Sequence, residues 1–354
     1  MRDKIRVLHV LTLNSFGGIQ TLVLQLANEY NNGDTVQCSL FSIQEVNLPK
    51  SSLPENIEIM EAVEGSMYKK ALNFIKVAKN YDIIHFHGPL TVFQVAALFI
   101  RKKIVYTEHG TLQKANINNS FRHLIQKKII GLYFIKKRAN AVILISKWLE
   151  KDLNLKRKNI FLISNGLQYK IPEITKNDDV VVTIAARMVP KKRVDIAIDV
   201  MEVLGDKNNI KLHILGNGPD MEKLKKKTSS LLDKSVFFLD YRPDAYDLIA
   251  SSDFYLMTTK KEPFGLVVLE AMMNETMVLA LNDSGGPVEI LGDKFPELIC
   301  NTEAEIADKI LKFSSDSTLY NSICKGLKDE YKEKYTMQVM AKNYRNVYLK
   351  VLES

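Results

Sequence analysis

Two glutamates at a spacing of eight positions, Glu262 and Glu270, frame the stretch with the clearest capacity for chemistry. Pro263 follows the first of them, and an apolar run leads to the second. Proline suits the first turn of a helix because its missing N–H would have no partner there. We therefore expect a helix that begins near Pro263 and turns the free N–H groups of residues 265–267 outward.

Such a helix start is an anion site, because unpaired N–H groups and the positive end of the helix dipole converge there. Glu270 would lie roughly 10 Å from Glu262 along the helix axis. The stretch can therefore hold a phosphate in the middle and hydroxyl groups at both ends, which is the outline of a sugar nucleotide. An amphipathic helix with a charged residue at each end is the alternative, and the pair alone favours it because most charged side chains face water.

Two cations upstream support the anion site. Arg187 and Lys192 flank the loop that follows an expected strand, and together they could neutralise a diphosphate. The pair Gly216 and Gly218 lacks the third glycine of the dinucleotide fingerprint, which argues against a nicotinamide enzyme. The sequence contains no Asp-x-Asp pair, so a metal that bridges the diphosphate has no obvious ligands and none is expected. We expect no cofactor either.

The elements that must position these residues alternate between strand and helix over the whole length. At 354 residues the chain predicts two domains. A buried strand, a glycine loop and a helix open the chain, as in a doubly wound α/β domain, and the same pattern restarts after a polar stretch. The expected parts are a first domain at 1–166, a linker at 167–179, a second domain at 180–335 and a C-terminal helix at 336–354.

Ligands of open parallel sheets bind at the carboxyl edge, where several candidate residues fall. Gly17 and Gly18 follow the first expected strand, and His109 follows the strand around residues 104–107. The alternatives are a tight turn for the glycines and a structural histidine for His109, and for His109 both interpretations remain open. For His85 and His87 the structural interpretation is favoured.

Composition indicates an ordinary globular protein, with 46% hydrophobic and 25% charged residues. Three cysteines, far apart and without metal-site spacing, favour a reducing cytoplasmic setting. No apolar run reaches the ~18 residues of a transmembrane helix. The basic excess is local, since residues 101–170 carry 16 Lys/Arg against 3 Asp/Glu.

A basic, apolar-striped helix is expected at residues 119–139. It suits an anionic membrane surface, which would place the protein at the inner face of the cell membrane. It equally suits a core helix with a basic solvated face, and both remain open. No nucleic-acid motif is present, so no nucleic-acid partner is expected.

The combined motifs resemble the family-four retaining glycosyltransferases, also called glycosyl transferases group 1. The resemblance implies an α/β GT-B fold, with two Rossmann-like doubly wound domains facing across a cleft and a C-terminal helix that crosses back. It covers the whole chain and rests on Gly17-Gly18, His109-Gly110, Asn165-Gly166, Arg187–Lys192, Gly216–Pro219, Glu262–Glu270 and Ser284–Glu289.

The resemblance also implies residue roles. Arg187 and Lys192 would stabilise the leaving diphosphate, and Glu270 would bind the ribose. The implied catalytic set is Glu262, Arg187, Lys192 and His109. The implied donor-binding set is Gly17, Gly18, Gly216, Phe264, Gly265, Leu266, Val267 and Glu270.

Two positions depart from the family pattern. The glycine that usually follows the lysine is Arg193 here, and the usual glycine before the next strand is replaced by Glu275-Thr276. Neither change replaces a contacting residue, but both leave the local loop geometry open.

The implied activity is retaining, metal-independent transfer of a hexosyl or N-acetylhexosaminyl group from a nucleotide diphosphate sugar, foremost a UDP-sugar. The expected partners are this donor, as substrate, and a glycan acceptor, lipid-linked, in cell-surface polysaccharide synthesis. A nucleotide-sugar epimerase on the same fold is one alternative. A non-catalytic partner subunit is another, and the intact set of Arg187, Lys192, Glu262 and Glu270 argues against it.

Overall fold

The structure is a computed structural model that divides into two compact units, Met1–Gln168 with Thr336–Ser354, and Tyr169–Tyr335. It describes residues 4–14, 17–49, 53–110, 134–153, 159–175, 178–205, 209–228, 230–292 and 294–354. Most of the basic helix expected at residues 119–139 lies outside the described residues. Within the described chain, no helix is long and apolar enough to cross a bilayer.

The first unit is built on a seven-stranded parallel sheet with the strand order β3-β2-β1-β4-β5-β6-β7. Its strands are near-continuous apolar runs because helices cover both faces. The strands are β1 (Ile5–Leu11), β2 (Val36–Ser42), β3 (Glu58–Glu61), β4 (Ile83–His87), β5 (Lys103–Glu108), β6 (Ala141–Leu144) and β7 (Ile160–Leu162).

The helices of the first unit connect these strands and bury an aromatic core. Phe41, Phe74 and Phe93 pack edge to face between the sheet and two of the helices. Such contacts contribute beyond the area that they bury. The helices are α1 (Gly18–Asn31), α2 (Met67–Ala78), α3 (Thr91–Ala96), which continues as a 3-10 turn (Ala97–Phe99), and α4 (Lys147–Leu153), with a π-helical turn at Phe134–Arg138.

The second unit contains a six-stranded parallel sheet with the order β10-β9-β8-β11-β12-β13. Its strands are β8 (Val180–Ala185), β9 (Ile210–Leu215), β10 (Val236–Phe238), β11 (Phe254–Met257), β12 (Met277–Leu281) and β13 (Ile299–Cys300). Its helices are α5 (Val194–Leu204), α6 (Met221–Lys227), α7 (Ala245–Ala250), α8 (Leu266–Met273), α9 (Gly286–Leu291), α10 (Glu303–Ser315) and α11 (Ser317–Lys334), with 3-10 turns at Pro190–Lys192 and Pro296–Leu298.

The last helix, α12 (Met337–Glu353), belongs to the first unit although it follows the second in sequence. Thr336 caps it by accepting a hydrogen bond from the Val339 N–H. Gly166 lies against this start, where an added Cβ would meet the Thr336 carbonyl oxygen at 2.3 Å. The expected helix that crosses back is therefore confirmed.

Each strand order contains one switch point at which the chain reverses direction across the sheet. In the second unit it lies between β8 and β11, and in the first unit between β1 and β4. Ligands of such sheets bind outside the carboxyl ends of the strands at this point. The loop after β8 carries Arg187 and Lys192, and the loop after β11 carries Glu262. The expected doubly wound α/β architecture is confirmed in both units.

Candidate active site

Three loops interlock at the carboxyl edge of the second sheet. The Lys260 N–H donates to the Lys191 carbonyl at 3.1 Å, which joins the loops after β11 and β8. The Glu262 N–H donates to the Ser284 carbonyl at 2.7 Å, and the Glu262 carbonyl accepts from the Gly286 N–H at 2.8 Å. The backbone of Glu262 is therefore held on both sides, as a preorganised site requires.

Lys192 and Glu262 form an ion pair across two of these loops. The Lys192 Nζ lies 2.9 Å from the Glu262 Oε2, and the two side chains are 29% and 21% exposed. The Thr258 hydroxyl donates to the Lys192 carbonyl at 2.7 Å, which fixes the residue that carries the ammonium. The pair is anchored by the backbone and still within reach of a ligand.

Arg193 stands at the first position that departs from the family pattern, where glycine is usual. Its backbone is left-handed (φ 48°, ψ 45°), which explains why glycine is usual there. Its guanidinium forks onto the Asp283 carboxylate at 3.0 and 2.5 Å, and its Nε donates to the Thr258 carbonyl at 2.7 Å. These charge-assisted bonds offset a strain of about 1–3 kcal/mol.

Glu275 occupies the second departure and is also left-handed, with φ 62°. Its carboxylate pairs with Lys328 at 2.6 Å. Arg193 and Glu275, the residues that replace the two usual glycines, therefore both adopt a left-handed backbone conformation that glycine favours.

Arg187 is exposed on the loop after β8, and none of the described residues forms an ion pair with it. Two glycines of the neighbouring loop set the path of its backbone. An added Cβ at Gly216 (φ 120°) would meet the Ala186 carbonyl oxygen at 2.1 Å, and one at Gly218 would meet the Met188 carbonyl oxygen at 2.4 Å. The structure thus gives Gly216 a packing role beside the predicted donor-binding one.

The helix of the Glu262–Glu270 stretch begins later than expected. It starts at Leu266, and Gly265 precedes it in a left-handed conformation with φ 91°. This conformation cannot continue a helix towards Pro263, which instead lies in the loop beside Glu262. The N–H groups of Leu266 and Val267 have no backbone acceptor among the described residues, as expected for the first turn.

Phe264 is buried and packs against the ring of Tyr335, so its backbone rather than its side chain is available to a ligand. Gly265 has no room for a side chain, because an added Cβ would meet the Pro287 Cγ at 2.9 Å. The loop from Glu262 into α8 therefore presents mainly backbone groups.

Glu270 lies on α8 and is partly buried. Burial raises the pKa of its carboxyl group to about 7. No hydrogen bond to this carboxyl group occurs within the described part of the chain, so its oxygens are free to accept from a ligand. Hydroxyl groups that donate to it would favour the ionised form.

A chain of three imidazoles crosses the carboxyl edge of the first sheet. His9 Nδ1 lies 2.8 Å from His87 Nε2, and His87 Nδ1 lies 3.0 Å from His109 Nε2. Burial lowers the pKa of His9 to about 3 and that of His109 to about 4, and it lowers the pKa of His87 as well. All three rings are therefore neutral at physiological pH.

Neutrality fixes the direction of this chain of hydrogen bonds. His9 Nε2 is buried without a partner among the described residues. An unpaired lone pair at this atom costs less than an orphaned N–H, so His9 Nδ1–H donates to His87. His87 Nδ1–H in turn donates to His109 Nε2, which places the His109 proton on Nδ1, where no hydrogen-bond acceptor occurs among the described residues.

His9, His85 and His87 offer nitrogens within 4.8 Å of one another, the one such group of three among the described residues. His85 is held by Tyr348 and Thr107, each at 2.8 Å, and both nitrogens of His87 bond to imidazoles. Of these nitrogens, only His9 Nε2 lacks a partner within the described part of the chain, so the donor set fits a hydrogen-bonded network better than a metal.

Gly17 and Gly18 lie exposed where α1 begins, and Gly17 is extended with φ −160°. They and His109 belong to the first unit, whereas the other predicted site residues belong to the second. The structure therefore brings together Lys192, Glu262 and the start of α8 within one unit.

Two buried polar residues escaped the sequence analysis. His9 aligns with His85 in the parallel register of β1 and β4, which strand alternation could have indicated. Glu108 accepts from the Tyr106 hydroxyl at 2.7 Å and from the Gly110 N–H at 3.2 Å. Burial raises the pKa of Glu108 to about 7.

Comparison with solved structures identifies the fold. Anabaena HepE in complex with UDP superposes with a TM-score of 0.83 at 17% identity, covering 98% of this chain and 100% of that one. The fold is GT-B, as expected. Two family models match in turn, Glycosyltransferase Family 4 at residues 16–169 and Glycosyl transferases group 1 at residues 168–329.

Curated relatives agree with these matches. Poly(ribitol-phosphate) alpha-N-acetylglucosaminyltransferase of Staphylococcus aureus is 28% identical over 260 residues, 70% of this chain and 52% of its own length. The chain thus spans about half of that relative. N-acetyl-alpha-D-glucosaminyl L-malate synthase of Bacillus anthracis is 22% identical over 77% of this chain and 76% of its own length. The chain belongs to the group 1, family 4 glycosyltransferases.

Proposed function

We propose that this glycosyltransferase moves a hexosyl or N-acetylhexosaminyl group from a UDP-sugar to a glycan acceptor, with retention and without a metal. The activities named for two relatives, the alpha-N-acetylglucosaminyltransferase and the N-acetyl-alpha-D-glucosaminyl L-malate synthase, support N-acetylglucosamine as the sugar. HepE in complex with UDP and with UDP-glucose supports uridine as the base.

The observation that carries the proposal is the Lys192–Glu262 pair beside the start of α8. When the bond between the sugar and the diphosphate breaks, its electron pair stays on the diphosphate oxygen. Lys192, Arg187 and the N–H groups of α8 would stabilise that charge, which is a task that a metal performs in other enzymes.

Retention is supported by the way in which Glu262 is engaged. Its carboxylate is bound to Lys192, and its backbone is fixed between two loops. We assign it to the hydroxyls of the donor sugar rather than to nucleophilic attack. The acceptor hydroxyl would then attack from the face that the diphosphate leaves, and the product would keep the configuration of the donor.

We assign His109, through Nδ1–H, to the donor sugar, and Gly17 and Gly18 to its phosphates. We assign Glu270 to the ribose hydroxyls. The acceptor is proposed to be a lipid-linked glycan of a cell-surface polysaccharide. The poly(ribitol-phosphate) transferase among the relatives supports a polymeric acceptor.

A thermal-shift panel of nucleotides and nucleotide sugars tests the donor site, since a ligand of the folded state raises the melting temperature. We expect UDP and a UDP-sugar to raise it equally with and without EDTA. Lys192→Ala should abolish this shift, whereas Lys223→Ala, at an exposed lysine of α6, should keep it. A shift that requires a divalent cation would contradict the metal-independent proposal, and product formation without an acceptor would favour an epimerase.

A further inference from the structure

Helices α2 and α3 carry apolar side chains on the face that points away from the sheet. Tyr68 and Leu72 are 72% and 48% exposed on α2. Val95, Leu98 and Phe99 are 37%, 43% and 77% exposed on α3 and its 3-10 turn. Leu72 lies four positions after Tyr68, and Leu98 and Phe99 lie three and four positions after Val95. These spacings place each set along one helix face.

The opposite faces of these helices already fill the core. Phe74 of α2 and Phe93 of α3 are buried there and contact each other at 5.5 Å between ring centroids. The exposed set is therefore a second apolar surface, which we call the outer face (Tyr68, Leu72, Val95, Leu98 and Phe99). Side chains of this size and exposure in a contiguous patch mark an interaction site.

The charged residues of the two segments that carry the outer face have one sign. Residues 67–79 and 91–103 contain seven Lys/Arg and no Asp/Glu. The acidic residues next in sequence are Glu64 and Asp82, and Asp82 already accepts from the Arg6 N–H at 2.8 Å. The outer face therefore combines exposed apolar side chains with neighbouring lysines and arginines.

A cavity of about 400 Å³ opens where α3 ends and β5 begins. Four cations line it, Arg101, Lys102, Lys103 and Arg138, with Asp82 as its one carboxylate. Arg138 donates to the carbonyls of Ile100 and Lys102 at 2.6 and 3.1 Å, which fixes the segment that presents the other cations. Such a cavity suits a phosphate group.

We propose that the outer face docks on an anionic phospholipid surface, with a lipid phosphate in this cavity. Aliphatic and aromatic tips would enter the boundary between headgroups and acyl chains, and the lysines and arginines would meet the lipid phosphates. A second copy of this chain fits less well, because an isologous contact would bring two basic surfaces together. The proposal rests on the proposed function only in that a lipid-linked acceptor requires the enzyme at a membrane.

Flotation of the full chain with phosphatidylcholine vesicles, with and without phosphatidylglycerol, tests this surface. We expect binding only to the anionic vesicles. Arg101→Gln with Lys102→Gln should lower the partition coefficient about 30-fold, since each cation near the surface contributes about fivefold. Leu98→Ser with Phe99→Ser should lower it at least about tenfold through lost apolar burial.

Matched controls lie in the second unit. Lys223→Gln with Lys226→Gln removes two exposed lysines of α6, and Tyr241→Ser removes a side chain that is 78% exposed. These variants should bind vesicles as the parent does. Equal melting temperatures of all variants would show that each one is folded.

Equal binding to both kinds of vesicle, binding to neither, or undiminished binding by the outer-face variants would overturn the proposal. Donor binding and transfer to a soluble acceptor are measured without vesicles, and we expect the outer-face variants to keep both. If the parent chain binds anionic vesicles through this face but binds no nucleotide sugar, the proposed function is refuted while the membrane-docking surface is supported.

Discussion

Lys192 and Glu262 neutralise each other in the free protein, so a bound diphosphate would compete with the glutamate for the ammonium. This exchange would free Glu262 for the hydroxyls of the sugar. Glu270 and His109 are prepared in a different way, because burial sets the protonation of each. At the residue scale, the charges of Lys192 and Glu262 are therefore paired and His109 is neutral in the free protein, whereas Arg187 has no ion pair among the described residues.

Glu270→Gln should reveal the raised pKa of Glu270 in the stability of the protein. In the unfolded chain the Glu270 carboxyl group loses its proton near its ordinary pKa of 4.5, whereas in the folded protein it keeps the proton up to about pH 7. The resulting stability is fully present below pH 4.5 and is lost as the pH rises through about 7. Calorimetry should therefore give the variant a higher melting temperature than the parent at about pH 8. Near pH 4.5 the two melting temperatures should be equal.

The same variant tests ligand binding. If ribose hydroxyls donate to the ionised Glu270, the affinity for UDP rises with pH through about 7 in the parent but not in Glu270→Gln. Glu108 of the first unit also has a pKa raised to about 7, so Glu108→Gln is the control. This variant should keep the pH dependence of UDP affinity. A parent affinity that is flat with pH would contradict the assignment.

His87 is expected to act by positioning His109. His87→Phe removes the hydrogen bond that keeps the proton on His109 Nδ1, so kcat should fall about tenfold while UDP affinity stays unchanged. His87→Gln, which can donate in the same direction, should recover part of the loss. ¹⁵N NMR of the parent should show His109 neutral and protonated at Nδ1 from about pH 5 to 8, and titration near its ordinary pKa would contradict the network.

At the element scale, loops rather than helices and strands determine the site. Loops after β8, β11 and β12 hydrogen-bond to one another, and each carries a residue in a left-handed or closely packed conformation. Apolar runs were enough to predict most of the strands, but the short edge strands β3 and β13 were not predicted. The start of α8 was predicted wrongly because proline preference favoured Pro263, whereas the left-handed Gly265 decides it.

Gly216→Ala should disturb the loop that carries Arg187. The new methyl group would overlap the Ala186 carbonyl oxygen, so we expect a loss of about 2–4 kcal/mol and at least about tenfold weaker UDP binding. Denaturant melts and calorimetric titration measure the two effects.

Gly205→Ala is the matched control, since Gly205 has φ 60° with nothing within 4 Å of an added Cβ. It should lose stability through backbone strain alone and keep its UDP affinity. Equal UDP affinity in Gly216→Ala and the parent would refute the role of this contact.

At the scale of the whole molecule, the chain makes two units, and its last helix returns to the first. The motif spacing and the resemblance were enough to predict the GT-B fold and this helix. They could not predict the bond between Tyr348 of α12 and His85, because residues 263 positions apart meet only in the folded chain. The ion pairs of Lys192 and Arg193 escaped prediction for the same reason.

Tyr348→Phe should destabilise the first unit selectively. It leaves a buried His85 nitrogen unpaired at a cost of about 1–3 kcal/mol. Tyr344→Phe, whose hydroxyl lies 3.4 Å from Thr107, should cost less. Calorimetry with and without UDP would separate the units, because UDP should raise the transition of the second unit, and a Tyr348→Phe effect on that transition would contradict this division.

Glycosyl transfer from UDP-N-acetylglucosamine to a glycan acceptor in EDTA would show whether Lys192 supports retaining transfer without a metal. We expect Lys192→Ala to lower kcat about 10²–10³-fold, Lys223→Ala to leave kcat unchanged, and the product to keep the configuration of the donor. Transfer by Lys192→Ala at the parent's rate, or an inverted product, would contradict this expectation.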